Sequence, residues 1–423
     1  MKQNRMNGGC QTPNSILKRL AFFSLGLVAF SRMYGSYTLG VERLAETKTL
    51  ERLPLTDRVG IITNQTGVDR NNVSTIELFI KAGYTVTALF APEHGFRGTI
   101  TAGAHVLDDF HHEYGIPIVS LYEQGRKHVP HQLLEKVDRL VFDIQDVGMR
   151  HYTYIATLLQ ALELALHVKK PLIVLDRPNL LGPCMEGPVA QPVEGSFLSS
   201  VPVPLRHGLT VGEIARYLNN YVLSSPAELY VIPLDGYRRD NLISPYGFVA
   251  PSPNISSLDS CRGYSFLGLM GEIRPFDVGI GTDKAFRRFG LPVAQLSKQN
   301  WMSVARICNR YGINATYSLY DRRGTKYQGL TIAIPSIGTT RSFSLLIELL
   351  DFFKKNKVAM QFSSSFDKAV GSSCLADYYS QRCSYQDLVN TINSDLRIFY
   401  AKVKPLLLYE PYSRPCFLSV EKK

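Results

Sequence analysis

The chain has 423 residues, 45% of them hydrophobic and 11% aromatic, which is too long for one typical core and too apolar for a disordered chain. Its net charge is +11, but the first 36 residues hold five basic residues and no acid, leaving +6 on the remainder. That mild excess, without a Lys/Arg run, zinc-finger spacing or RNP-like aromatic motif, argues against nucleic acid as a partner.

At the N-terminus "LKRL" precedes "AFFSLGLVAF", ten apolar residues that are too few to span a bilayer as a helix. Residues 1–36 therefore read as a signal peptide or N-terminal anchor. Cys10 lies before the apolar stretch and is not a lipid-anchor cysteine. The expectation is an exported protein, periplasmic or in the cell envelope, with no stable membrane span once the signal is cleaved. Cys184, Cys261, Cys308, Cys374, Cys383 and Cys416 form no C-x-x-C pair, which disfavours zinc and thioredoxin-like chemistry. Disulfides suit an exported chain, and the sequence leaves their pairing open.

From residue 38 strands and helices alternate. "VGIITN" (59–64), "TVTALFA" (85–91), "IPIVSLY" (116–122), "RLVFDIQ" (139–145) and "PLIVLD" (171–176) are strands, apolar on both faces. "VSTIELFIKAG" (73–83) and "YTYIATLLQALELALHV" read as helices, and "HGLTVGEIARYLNNY" adds one with Thr210 as N-cap and Glu213 three residues later. Doubly buried strands between helices predict an α/β fold, a Rossmann-like parallel sheet over residues 37–225. Residues 226–423 read as a smaller α/β (α+β) domain that completes a cleft. There "TKYQGLTIAIP" is a strand, "TTRSFSLLIELLDFFKKN" a helix, and two shorter helices fall between 364 and 403, whereas 244–290 show little periodicity.

Ligands of open parallel sheets sit beyond the carboxyl ends of the strands, and here those ends are loaded with polar groups. "NQTG" follows the first strand, "EHGFRG" the second, "DIQDVGMRHYTY" the fourth and "DRPN" the fifth, with "MEGP" and "PLRHG" in the loops beyond. This topology lines one rim with Asn64, Glu93, His94, Asp146, Arg150, Tyr152, Asp176, Arg177, Glu186, Arg206 and His207. Asn64 and Asp176 could equally serve turns, Asp146 a helix cap, and the two arginines their neighbouring acids. Glu93 resists such readings, because it follows a proline between a buried strand and a glycine turn. Glu163, close to Tyr152, Leu159 and Leu166 at 100° steps, sits at the edge of an apolar stripe, where a carboxylate must be paired or functional.

The rim lacks G-x-S-x-G, a P-loop and G-x-G-x-x-G, so serine-hydrolase, phosphate-binding and hydride-transfer chemistry have no signature. His94, His111 and His112 have no metal-ligand spacing, and neither metal nor cofactor is expected. Paired carboxylates among Tyr, Arg and His suit glycoside hydrolysis, in which one acid protonates the leaving oxygen and another carboxylate serves the oxocarbenium-like centre or a water.

The motifs "GIITNQTGVD", "FAPEHGFRG", "SLYE", "DIQDVGMRHYTYI", "VLDRPNLLG…MEGPV", "PLRHGLTVGE" and "PSPNISSLD" occur in order. Together they resemble the exo-β-N-acetylmuramidase (NamZ/YbbC-like) family of bacterial cell-wall glycosidases, from about residue 38 to about residue 410. The resemblance implies release of terminal N-acetylmuramic acid from non-reducing ends of peptidoglycan fragments (MurNAc-GlcNAc). It implies a catalytic glutamate at Glu93 and a second at Glu186 or Glu163. Arg150, Tyr152, Arg177 and His207 are implied to contact sugar or the lactyl carboxylate, with Asn64, His94, Asp146, Asp176 and Arg206 beside them. In one segment this chain departs from the family: "DVGIGT" carries Val278 and Ile280 where relatives carry a glutamate and an arginine. That loss motivates the alternative of a catalytically weakened peptidoglycan-binding protein.

Overall fold

The computed structural model describes residues 37–122, 129–193, 196–240, 248–338 and 340–419; the expected signal segment, 1–36, lies outside the described residues. The first half contributes β1 (Arg58–Thr63), β2 (Thr85–Ala91), β3 (Asp109–His111), β4 (Ile116–Ser120), β5 (Arg139–Asp143), β6 (Leu172–Leu175), β7 (Cys184–Val189), β8 (Pro204–Arg206) and β9 (Leu229–Ile232). Seven of these form one sheet in the order β3-β4-β2-β1-β5-β6-β9. Every pair is parallel except β3 with β4 at the edge. Counted by appearance, the six parallel strands lie 3-2-1-4-5-6, the Rossmann order, and its direction reverses between β1 and β5. The central strands are apolar on both faces because each face is covered: Ile61, Leu89 and Val141 pack on one side, Ile62, Phe90 and Phe142 on the other.

Val211–Tyr221 is helical, as Thr210 and Glu213 predicted. The Thr210 hydroxyl accepts from the Glu213 amide, and the Glu213 carboxylate accepts from the Thr210 amide. Residue 225 falls before the last strand of the large sheet, so that sheet runs on through β9. Among the described residues no helix is long and apolar enough to cross a membrane.

The smaller part carries β10 (Ile273–Arg274), β11 (Arg288–Pro292), β12 (Asn314–Arg322), β13 (Thr325–Ala333), β14 (Gln361–Phe362) and β15 (Arg414–Pro415). Its main sheet is antiparallel, β11-β13-β12, backed by helices Lys298–Arg310 and Ser342–Lys355. Two expectations change. The last helix, Tyr385–Val403, has 19 residues and is not short. Within the stretch read as irregular lies a 13-residue helix, Leu258–Met270. Its glycines hid it, and packing explains them: a Cβ on Gly263 would stand 1.7 Å from the Phe286 carbonyl oxygen, and one on Gly268 2.5 Å from the His151 ring.

The C-terminal segment returns to the first half, where β15, β7 and β8 form a separate three-stranded sheet. β15 pairs with β7, Cys416 is disulfide-bonded to Cys184, and the Tyr409 hydroxyl donates to Asp176. One apolar core runs through both parts.

Candidate active site

β2 ends in a turn built for Glu93. Pro92 offers no amide, and His94, Gly95 and Gly98 all take positive φ, at 68°, 73° and 68°. Gly98 has no room for a side chain, since a Cβ there would lie 2.1 Å from the Gln65 amide. The turn leaves Glu93 6% exposed and holds both its oxygens: Oε1 accepts from the Gly103 amide at 2.8 Å, and Oε2 from the Thr153 hydroxyl at 2.5 Å. The Tyr122 phenol is also in hydrogen-bonding reach, and burial together with the Glu93 charge raises its pKa. His94 Nδ1 is 2.6 Å from the Ile100 carbonyl. A carbonyl only accepts, so Nδ1 carries a hydrogen.

Aromatic rings surround the carboxylate. Tyr152 and Tyr154 meet edge to face with centroids 4.7 Å apart, and His94 lies 6.4 and 6.5 Å from them. Tyr154 donates to the Pro251 carbonyl and lies against the amides of Asn64 and Gln65. Tyr264, on the Leu258–Met270 helix, stacks on His151 at 4.7 Å and meets Tyr152 edge-on at 6.0 Å. Burial raises the Tyr264 pKa most, and the charges of Glu93, Glu272 and Asp146 raise it further.

Asp146 is buried after β5. Its Oδ2 accepts from the Gly148 amide at 2.6 Å and faces His207 Nε2 at 3.1 Å, whereas Oδ1 has no partner among the described residues. The Leu209 amide donates to His207 Nδ1 at 3.2 Å, so Nε2 bears the hydrogen and donates to Asp146. Glu272 is half-buried and accepts from the Ser363 and Ser365 hydroxyls at 2.5 and 2.6 Å. His151 is buried, neither ring nitrogen has a partner among the described residues, and burial pushes it down to about 3.

Other rim residues lie elsewhere or are bound into the fold. Glu163 is a correction: it is exposed in mid-helix, about 15 Å along the axis from Thr153, and does not approach Glu93. Glu186 lies on strand β7 and not in a loop. It is 1% exposed, pairs with Arg206, and accepts from the Ser342 amide and hydroxyl at 3.0 and 2.7 Å. No hydrogen bond or ion pair joins it to Glu93. Arg206 also donates to the Thr340, Leu181 and Ile337 carbonyls. Arg177 forks onto Asp143 at 2.5 and 2.8 Å, so its guanidinium is not open to a sugar carboxylate. Asp176 accepts from the Thr210 and Tyr409 hydroxyls and the Gly212 amide, and burial pushes it up to about 6. Arg150 donates to the Leu198 and Ala369 carbonyls, and burial without a carboxylate partner brings it down to about 9. Asn64 forms a turn with Thr66.

Sequence reasoning gave no role to Thr153, Tyr122 or Tyr264. Tyr122 and Thr153 lay inside quoted motifs, while Tyr264 sat in the helix that glycines concealed. Val278 packs in the core, where a Cβ on Gly271 would touch it at 3.0 Å, and Ile280 is 42% exposed. An open hollow of about 280 Å³ lies apart from Glu93, bounded by Asn179, Arg239, Arg262, Ser336, Pro411 and Arg414. Its lining includes the buried Asn179 and Arg239, and Glu93 is not part of it.

Fold and rim together define a doubly wound α/β protein with buried carboxylates along its carboxyl rim and an antiparallel second part. The N-terminal model of exo-β-N-acetylmuramidase NamZ matches residues 59–259, and its C-terminal model matches 262–409. The peptidoglycan β-N-acetylmuramidase NamZ of Bacillus subtilis (strain 168) is 32% identical over 366 residues, covering 83% of this chain and 87% of that protein. A crystal structure of a DUF1343 family protein from Bacteroides fragilis NCTC 9343 aligns with a TM-score of 0.74 and 30% identity, over 88% of this chain and 99% of that one. A second protein of that description from the same organism aligns at 0.65 with 24% identity, over 89% and 99%, and bears on the fold alone. The chain belongs to the exo-β-N-acetylmuramidase NamZ family.

Proposed function

We propose that this protein is an exo-acting glycoside hydrolase that releases terminal N-acetylmuramic acid from the non-reducing ends of peptidoglycan fragments, with Glu93 as general acid. The observation that carries the reading is the Glu93 setting. Within a family of muramidases, this buried acid is held at both oxygens on the carboxyl rim, among rings that suit a sugar face. Glu93 would protonate the glycosidic oxygen as the bond to the anomeric carbon breaks, while a second group serves the developing positive charge or an attacking water. Asp146, whose Oδ1 has no partner among the described residues, fits the second role; Glu186 also keeps Oε1 unpartnered, but its Oε2 is tied to Arg206 and to the start of the Ser342–Lys355 helix. The substrate's own 2-acetamido group is another source of assistance.

Export to the cell envelope belongs to the same proposal, supported by the N-terminal apolar stretch and by the Cys184–Cys416 disulfide, which favours an oxidising compartment. The alternative of a binder without turnover draws its motive from Val278 and Ile280. Val278 occupies an apolar position where a carboxylate would be buried, so its presence reads as core packing. Incubation with a MurNAc-GlcNAc disaccharide tests the proposal: free N-acetylmuramic acid is the expected product, and binding without product would favour the alternative.

A further inference from the structure

Glu93 is held by two different kinds of donor. The Gly103 amide can only donate, so Oε1 must present a lone pair whatever the protonation state. The Thr153 hydroxyl can rotate: it donates to Oε2 of a carboxylate and accepts from Oε2 of a carboxylic acid. Ser74, Thr210, Ser257, Ser297 and Ser384 each spend their hydroxyl on capping, accepting from an amide three residues on. Thr153, the N-cap of the 15-residue helix Tyr154–Val168, makes no capping bond and gives its hydroxyl to Glu93, as the N-caps Ser365 and Ser373 give theirs to Glu272 and Asp377. Of these three acids Glu93 is the buried one. The positive end of that helix thereby faces the carboxylate as well.

We propose that Thr153 is a positioning residue that assigns the transferable proton to Oε2 of Glu93 and supports both states of the acid through the reaction. The inference rests on the proposed hydrolase function. Before transfer, Oε2–H would be held by the Thr153 oxygen. As the bond between the anomeric carbon and the leaving oxygen breaks, its electron pair goes to that oxygen, which takes the proton from Oε2. The Thr153 hydroxyl then turns to donate to the new carboxylate and undergoes no net change. Water supplies hydroxide to the sugar, and its remaining proton restores the acid.

Thr153→Val keeps the shape and removes the rotor, whereas Thr153→Ser keeps the hydroxyl. On the MurNAc-GlcNAc disaccharide, Thr153→Val is expected to lower kcat about 10- to 100-fold, the worth of one hydrogen bond to a charged group. KM should change little and Tm should hold. The alkaline limb of the kcat profile should move to higher pH, because the ionised acid loses more than the neutral one. The titratable groups facing Glu93 are His94 in its own turn, Tyr122 after β4, Tyr154 on the helix and Tyr264 from the second part, and all remain in both variants. Thr153→Ser should restore kcat and the profile. Wild-type kcat and limb in Thr153→Val, or equal losses in the Ser and Val variants, would overturn the inference alone. If Thr153→Val does not fold, the same criteria apply to Thr153→Ala. Failure of the unsubstituted chain to release any sugar would overturn the functional reading and this inference with it.

Discussion

The two flanks of the sheet rim use charge in opposite ways. Beyond β5 and β6 three acids are consumed internally: Asp143 is clamped by Arg177, Asp176 gathers hydroxyls from Thr210 and Tyr409, and Glu186 pairs with Arg206. Each is a knot between elements distant in sequence. Beyond β2, Glu93 is also buried, but among the described residues it has no cationic partner, only neutral donors and rings. A guanidinium beside a carboxylate holds Asp143 and Glu186 as fixed charges. Asp176, like Glu93, has only neutral donors, but those from Thr210 and Tyr409 tie β6 to a helix start and to the C-terminal segment. Under the proposed function Glu93 is the rim acid set among rings and not between such ties.

The largest effect expected from this contrast is at position 93. Glu93→Gln keeps the shape and removes the transferable proton, and turnover of the disaccharide should fall by at least about 10³-fold with Tm nearly unchanged. A comparable loss of stability without a specific loss of kcat would place Glu93 among the knots. Arg177→Ala should do the reverse. Leaving Asp143 charged and unpaired costs about 3–5 kcal/mol of unfolding free energy, read by urea titration, while the folded fraction retains its kcat.

A smaller effect sharpens the picture of the enclosed aromatic layer. His151 is held near 3 against an ordinary 6.5, so between those values the unfolded chain takes up a proton that the folded chain refuses. Its contribution is present above about pH 6.5 and is lost as pH falls toward 3. Asp176, raised to about 6, acts in the opposite sense. His151→Phe keeps a stacking ring without a titrating group. It should therefore lose about 2 kcal/mol less than the parent between pH 7 and pH 5, an isolated change that leaves Asp176 in both chains. An identical pH slope in the two chains would show that His151 is protonated in the fold.

Which strand ends carry polar residues was readable from apolar runs that stop at Asn64, Glu93, Asp143 and Asp176, because a doubly buried strand leaves charge nowhere else to go. The directions of those side chains were not. At 100° steps Glu163 falls near the apolar stripe, but Tyr154–Val168 buries Leu158, Leu159 and Leu162 against the sheet and its neighbouring helix, turning position 163 to solvent. Glu186 sat beside Gly187 and Pro188 and read as loop, yet Gly187, at φ 77°, lets an irregular strand pair with β8 and points the acid at Arg206. Tyr264 was out of reach because the glycines that bring its helix close are the residues that argue against a helix.

The most direct test of the central claim is a crystal structure of Glu93→Gln soaked with the MurNAc-GlcNAc disaccharide. The account predicts the glycosidic oxygen within hydrogen-bonding distance of the side chain at position 93, with the muramic ring against Tyr152 or Tyr264. A disaccharide seated instead in the hollow bounded by Arg239, Arg262 and Arg414, with position 93 untouched, would contradict it.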